Sequence, residues 1–181
     1  MKYTFLLFIV FIFTPLTYAK NAPQIRLDAG ISLHQIRNHE FLEQDIAPFG
    51  SNEFGQYIGI AFHKQIKPAH HIGVKIDQQN LGGYRFNSVR AIDYMYQVND
   101  DIKVNGFIGA ARYMFRTPAY GYTLGFGGYY RPHNWGQWGV SLEAQYHDKL
   151  ARDKLHPDDP NVNSDSFIDI RAIAVGVNYF F

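Results

Sequence analysis

The segment that most constrains the fold is the run Ile173-Ala174-Val175-Gly176-Val177-Asn178-Tyr179-Phe180-Phe181 at the end of the sequence. Counted back from Phe181, every second residue is large and apolar, whereas the residues between them are mostly small or polar. A period of two is typical of a β-strand whose two faces meet different surroundings. An apolar row that finishes on an aromatic residue favours a strand with one face toward lipid.

The first residues have the pattern of a secretory signal peptide. Lys2 supplies a positive charge, residues 5–13 form an apolar core, and Thr17-Tyr18-Ala19 is a small-x-small ending. This core is shorter than the about 20 residues of a membrane-spanning helix, and an uncleaved anchor is the alternative. We expect cleavage near Ala19, which divides the chain into a signal peptide at 1–19 and a single domain at 20–181.

The remaining sequence favours strands over transmembrane helices. Its apolar stretches are interrupted every second or third residue by Gly, Asn, Arg or Asp. In lipid only helices and closed barrels satisfy their backbone groups, so the chain is either soluble or a membrane-spanning barrel. Cysteine is absent, so a closed ladder of backbone hydrogen bonds would have to replace disulfides. A net charge of +1 gives no general attraction for nucleic acid, and none is expected as a partner.

Eight alternating segments follow one another, separated by turn signals. They cover residues 24–34, 54–66, 70–78, 86–98, 102–114, 120–130, 137–148 and 167–181. Short connections lie at one rim, whereas the two longest, residues 35–53 and 149–166, lie at the other. This is the layout of a membrane barrel. We predict an all-β, eight-stranded antiparallel up-and-down transmembrane β-barrel with both termini at the tight-turn rim.

The aromatic residues indicate that the apolar rows face outward. A soluble lipocalin-like barrel, the alternative, also alternates but keeps its apolar row inside. Trp138 and Tyr146 are eight residues apart in one apolar row, about 20 Å along the barrel axis at a rise of ~3.3 Å and a tilt of roughly 40°. That height fits an apolar band between two aromatic girdles. The predicted girdle residues are Trp138, Tyr146, Tyr122 and Tyr130.

The opposite rows predict a polar lumen. Buried charges are costly unless they are paired, and the two signs are roughly balanced here, so a hydrogen-bonded polar plug is the simplest account. Eight strands leave an interior just filled by side chains, and a narrow ion channel is the alternative. The predicted lumenal set is Arg26, Asp28, His34, His63, Lys75, Asp77, Asp93, Lys103, Glu143 and His147.

Two groups of residues have the chemical types needed for nucleophilic catalysis. Asp28, Ser32 and His34 share one face of the first segment, and Glu143 and His147 share one face of the seventh. Alternation alone places polar residues on that face, so a structural role is the simpler interpretation and no catalytic residue is predicted.

No metal site or cofactor is predicted either. His70 and His71 are adjacent on a strand, so their side chains point to opposite faces and cannot easily share one metal. The acidic loop at 149–166 has oxygen ligands suited to Ca²⁺, but its spacing matches no known loop motif. A solvated surface loop is the alternative that we prefer.

The chain resembles the small outer-membrane β-barrels of Gram-negative bacteria, the class of outer membrane protein X, the opacity proteins and the barrel of outer membrane protein A. The sharpest match is their terminal insertion signal, to which Gly176, Tyr179 and Phe181 correspond; Ala174 stands where a polar residue is usual. The resemblance implies insertion by the outer-membrane assembly machinery, and a monomer among outer-membrane lipid and lipopolysaccharide. It also implies a structural or surface-interaction role through extracellular loops. Some such barrels are enzymes that modify lipid A, which is the alternative, although the His-x-Ser motif of the deacylases is absent.

Overall fold

The computed structural model describes residues 23–38, 50–115, 117–151 and 167–181. The predicted signal peptide at 1–19 and most of the two long loops predicted at 35–53 and 149–166 lie outside the described residues. The eight strands are β1 Gln24–Asn38, β2 Asn52–Lys67, β3 His70–Leu81, β4 Tyr84–Gln97, β5 Ile102–Phe115, β6 Thr117–Tyr130, β7 Trp138–Ala151 and β8 Phe167–Phe180. Among the described residues, no helix has the length and apolar character needed to cross a membrane.

The strands form a closed antiparallel barrel in sequence order, with β1 paired to β8, and this confirms the predicted fold. Followed once around the barrel, the register that starts at Arg26 returns to β1 at Ile36, ten residues further along the strand. A stagger of this size goes with a strand tilt of about 35–45°. Eight strands at that tilt enclose a lumen just wide enough for side chains.

The two rims differ in how the strands connect. At the tight-turn rim, Asn99 Oδ1 accepts hydrogen bonds from the N–H groups of Asp101 and Ile102. The β6–β7 connection there contains a short 3-10 turn, His133–Trp135. At the opposite, long-loop rim, Gly82 and Gly83 join β3 to β4 with φ values of 59° and 79°. Two consecutive positive φ angles are typical of a two-residue hairpin turn. Because this turn is so tight, β3 and β4 extend further than the sequence segments predicted.

The outer wall of the barrel carries an apolar belt on all eight strands. Large apolar side chains are exposed there, such as Ile58 (62 %), Phe126 (69 %) and Leu142 (58 %). Toward the long-loop rim many outward residues are polar, although Phe54 and Tyr120 are exposed there too. The polar ones include Gln35, Gln56, Gln78, Asn80, Asn87, Arg112 and Arg171. Continuous exposed apolar surface of this extent marks contact with a membrane or a partner rather than with water.

Strand β4 breaks the predicted alternation near its middle, whereas the other register shifts lie near strand ends, after Gln65 in β2 and after His147 in β7. The register of β4 shifts between Arg90 and Ile92 against β5, and it also shifts against β3. Ala91 and Ile92 are both exposed, whereas Arg90 is buried. Regular alternation over residues 86–98 predicts that Ala91 shares the lumenal face with Asp93, and that prediction is wrong. A β-bulge inserts one extra residue and reverses the inward and outward positions beyond it.

The lumen is filled along its described length, but only part of the filling is polar. Near the long-loop rim the buried residues form an apolar cluster of Ile36, Leu81, Phe86, Ala111, Tyr113, Ala119, Leu150, Ile168 and Ile170, with Tyr84 packed against it. The expectation of a polar lumen therefore describes only the half toward the tight-turn rim. We call the group near the long-loop rim the apolar cluster. The buried residues of the other half that we call the charged layer are Arg26, Asp28, Lys75, Asp77, Arg90, Tyr129 and Glu143.

Candidate functional site

Arg90 lies at the centre of the charged layer. Its Nη1 and Nη2 donate to the two carboxylate oxygens of Glu143 at 2.9 and 2.7 Å, a bidentate pair. Its Nε donates to Asp77 Oδ2 at 3.0 Å. The guanidinium also lies over the ring of Phe107, with its carbon 3.7 Å from the ring centroid. Arg90 therefore joins β4 to strands on both sides of the lumen.

Lys75 is a second buried cation shared by several carboxylates. Its Nζ lies 2.7 Å from Asp28 Oδ2, 3.0 Å from Asp77 Oδ1 and 3.8 Å from Glu143 Oε2. Both the lysine and its partners are almost completely buried. The ammonium group thus links β1, β3 and β7 where water does not compete for its hydrogen bonds.

Arg26 and Tyr129 complete the charged layer. Arg26 donates from Nε to Asp28 Oδ1 at 2.8 Å and from Nη2 to the Tyr129 hydroxyl at 2.9 Å. Its guanidinium carbon is 4.0 Å from the Tyr129 ring centroid. The Tyr129 hydroxyl in turn donates to Glu143 Oε1. The charged layer consists of Arg26, Asp28, Lys75, Asp77, Arg90, Tyr129 and Glu143.

Charge in this layer is balanced, with three cations against three carboxylates. Each ion has at least one partner of opposite charge within 3.0 Å. Removing one partner from such a buried set typically costs about 3–5 kcal/mol, because the other charge stays buried without compensation. The layer therefore fixes the relative positions of β1, β3, β4, β6 and β7.

Polar groups between the charged layer and the apolar cluster make a sparser network. His34 Nε2 accepts a hydrogen bond from the Gly82 N–H at 3.0 Å. His147 Nδ1 lies 2.9 Å from Thr123 Oγ1, and Gln79 Nε2 donates to Gln145 Oε1 at 3.0 Å. Phe86 of the apolar cluster packs on the His147 ring, with centroids 4.3 Å apart. The polar side chains of the lumen therefore contact the apolar cluster directly.

The structure buries nine of the ten predicted lumenal residues. His63 Nε2 is 3.4 Å from Asp93 Oδ2 near the tight-turn rim, and Asn105 donates to the other oxygen of Asp93. Lys103 is the exception, because it is half-buried at that rim and donates to Gln24 Oε1 at 3.1 Å.

Arg90 and Tyr129 are the important lumenal residues that sequence reasoning missed. Regular alternation gives Arg90 the same face as Ile92, and the bulge between them is what turns Arg90 into the lumen. An arginine in an otherwise apolar row was the available signal. Tyr129 was missed because neighbouring Tyr130 already satisfied the outward aromatic pattern.

The two catalytic arrangements considered from the sequence are not assembled among the described residues. Asp28 is bound by Arg26 and Lys75, and Ser32 Oγ has no hydrogen-bond partner. His34 is bound instead to the β3–β4 turn. Glu143 is held by Arg90 and His147 by Thr123, so neither histidine is oriented by an acid toward a nucleophile.

No three His, Cys, Asp or Glu side chains in the described part of the chain are grouped to hold a metal ion. His70 packs outward against Tyr94 and Tyr96, whereas His71 is buried on the other face. The acidic loop considered for Ca²⁺ lies outside the described residues.

The residues of the predicted insertion signal line the seam between β1 and β8. Gly30 and Gly176 are opposite each other in the register, and the Tyr57 side chain crosses both of them. A Cβ atom added at Gly176 would overlap the Tyr57 hydroxyl. Glycine is therefore required at 176 by packing, independently of any role in recognition.

The outward aromatic residues near the tight-turn rim contact one another. The Tyr179 ring lies 5.0 Å from Trp138 and 4.8 Å from Phe181, both in edge-to-face geometry. Tyr130 contacts Trp135 of the short 3-10 turn in the same way. The other two predicted girdle residues, Tyr122 and Tyr146, lie toward the opposite rim.

Comparison with known proteins identifies the fold and nothing finer. Neither protein-family models nor curated proteins match the sequence. Among solved structures, Ail, the attachment invasion locus protein of Yersinia pestis, matches with a TM-score of 0.54 and 11% identity over 88% of this chain and 99% of that chain. Neisserial surface protein A matches with a TM-score of 0.53 and 9% identity over 87% of this chain and 97% of that chain. The chain thus has the fold of eight-stranded β-barrels such as Ail and Neisserial surface protein A.

Proposed function

We propose that the chain is an outer-membrane protein of a Gram-negative bacterium that holds its long loops at the cell surface in a structural or interaction role. The observation that carries this proposal is the exposed apolar belt on every strand of a closed barrel. A barrel in water would have to cover that surface, whereas lipid solvates it.

The filled lumen favours a role outside the barrel rather than within it. The charged layer and the apolar cluster succeed each other along the axis, so an ion would have to displace paired charges and then enter an apolar region. The unassembled catalytic groups likewise favour a non-enzymatic role. The long connections after β1 and β7 are then the parts of the chain available to a partner.

The similar structures agree with a surface role. Ail is described as an attachment and invasion protein, and one of its structures holds sucrose octasulfate, a heparin analogue. Because the sequence identity is only 10%, we extend to this chain only a general role at the cell surface. No particular partner is carried over.

Assembly is proposed to depend on the end of β8. Tyr179 and Phe181 present their rings on the outer wall beside Trp138, where the assembly machinery would meet the strand before it pairs with β1. We expect deletion of Phe181 to lower the amount of folded protein in the outer membrane. Normal assembly without Phe181 would count against this part of the proposal.

Cell fractionation with an unboiled gel tests the proposed location. A folded barrel is expected in the outer-membrane fraction and should change its mobility after heating. Single cysteines placed in the β7–β8 loop, at Asp159 for example, should react on intact cells with a membrane-impermeant maleimide, and the chain has no other cysteine to interfere. Recovery of the folded protein free in the periplasm would contradict the proposal.

A further inference from the structure

The upper border of the apolar belt, toward the long-loop rim, differs in charge around the barrel. On β7, β8 and β1 it carries two arginines, Arg37 and Arg171, together with two acids, Asp148 and Asp169. On β3 to β6 it carries Arg85 and Arg112, and no described outward residue of those four strands is acidic. Among the described side chains, one side of the wall is therefore neutral and the other is positive.

Arg85 and Arg112 are close neighbours on the positive side. Asn87 lies opposite Arg112 in the β4–β5 register, and Arg85 is two residues from Asn87 on the same face. Such a diagonal pair has side chains roughly 7–8 Å apart at their bases. Both side chains are exposed, and no described acid lies within ion-pair distance of either. Arg112 is placed over Tyr120, 5.6 Å from its ring centroid.

A surface groove of about 460 Å³ adjoins Arg85. Its lining includes Gln56, Gln78, Asn80 and Gly83, with Ile58 at the side toward the apolar belt. Side-chain amides both donate and accept hydrogen bonds, which suits sugar hydroxyl groups. Guanidinium groups bind phosphate oxygens in pairs. Amides beside two arginines that have no described acidic partner therefore match a phosphorylated sugar.

The surface next to the groove suits hydrocarbon. Ile58, Ile76 and Val89 are about half exposed or more, at 62 %, 52 % and 48 %. They lie on β2, β3 and β4, on the same face as the groove and nearer to the tight-turn rim. A molecule with a phosphorylated sugar in the groove would have its acyl chains against these residues.

We infer that the face formed by Arg85, Arg112 and the adjoining amide groove binds the phosphorylated headgroup of an anionic glycolipid. Arg37 and Arg171 are less suited to bind an anionic headgroup because Asp148 and Asp169 lie beside them. The inference rests on the proposed function, since it places this border of the belt at a bilayer surface.

Native mass spectrometry of the folded protein in detergent, titrated with lipid A that carries both of its phosphates, tests this inference. Loss of one arginine near a membrane surface is expected to weaken binding of an anionic lipid about fivefold. Arg85→Gln/Arg112→Gln is therefore expected to bind this probe about 30-fold more weakly. The matched control, Arg37→Gln/Arg171→Gln, removes the same formal charge and should change binding by less than about threefold. Equal losses in the two double variants would overturn the inference, as would unchanged binding in the first.

Two further probes identify what the face recognises. Lipid A stripped of its phosphates should bind far more weakly, and equal affinity would overturn the inference. Inorganic phosphate in large excess should displace little of the phosphorylated lipid, because it lacks the acyl chains. Complete displacement would assign the face to free anions and would also overturn it.

Folding and location are checked separately. All substituted side chains are exposed, so heat-dependent gel mobility should match that of the wild type. Arg85→Lys/Arg112→Lys keeps the charge but loses paired hydrogen bonding, and it should bind with intermediate affinity; binding as weak as that of the glutamine variant would contradict an electrostatic site. Loss of lipid A binding by a protein that still fractionates with the outer membrane overturns this inference alone, whereas a periplasmic location overturns the proposed function.

Discussion

The charged layer and the apolar cluster fill two halves of the same lumen by different means. In the charged layer, Arg90, Lys75 and Glu143 each contact groups on at least two other strands. In the apolar cluster, the side chains of residues such as Leu81 and Ile170 contribute close packing, and the Tyr113 hydroxyl donates to the Leu81 carbonyl at 3.2 Å. Ion pairs depend on every partner being present, whereas packing contacts are lost in proportion to the atoms removed. The two halves should therefore respond differently to single substitutions.

Arg90→Met is expected to have the largest effect. It leaves Glu143 and Asp77 with one cation fewer while nearly preserving side-chain volume, so the free energy of unfolding should fall by about 3–5 kcal/mol. Urea unfolding of the protein reconstituted in lipid vesicles, followed by gel mobility, measures this change.

The double variant Arg90→Met/Glu143→Gln supplies the control. Removing one charge of each sign restores balance, so it should be more stable than Arg90→Met alone. If the two substitutions merely add, the ion pair does not dominate this half of the lumen.

Tyr129→Phe should have an intermediate effect. It removes the hydroxyl that donates to Glu143 and accepts from Arg26 but keeps the ring under the guanidinium. Hydrogen bonds to charged groups contribute about 1.5–3 kcal/mol, and the same urea assay should show a loss in that range. A loss below 0.5 kcal/mol would mean that the hydroxyl is not part of the layer's hydrogen bonding.

Ile170→Val is expected to have the smallest effect. It deletes one methylene from the fully buried apolar cluster, which typically costs about 0.5–1.5 kcal/mol. A loss as large as that of Arg90→Met would remove the proposed difference between the two halves.

Much of the barrel follows from local sequence patterns, but the contents of its lumen do not. Alternation and turn residues predicted eight strands, and the outward row Ile173, Val175 and Val177 lies where expected. The bulge at Ala91 was not predicted because one inserted residue reverses the orientation of side chains without changing the composition of the segment. Arg90 and Glu143 pair across 53 positions of sequence, a contact that no local pattern contains.

The apolar cluster was missed for a related reason. Ile36 and Leu81 lie beyond the predicted segments 24–34 and 70–78, and Ile170 lies in an inward row where polar or small residues were expected. The inward rows contain both polar and apolar residues because the side chains across the lumen, rather than lipid, determine which side chains fit there. That packing can be predicted only when the register between strands is known, and the register is not defined until the strands are paired in the closed barrel.

A nitroxide scan along β8 in lipid vesicles tests most directly whether the apolar belt faces lipid. Single cysteines at Val175 and Val177 carry the label, and Arg171 provides an outward position above the belt. We expect oxygen, which concentrates in lipid, to relax the labels at 175 and 177 more than a water-soluble nickel chelate does. At 171 the chelate should relax the label more than oxygen does. Stronger relaxation by the nickel chelate at 175 and 177 would show that the belt faces water and would contradict the account.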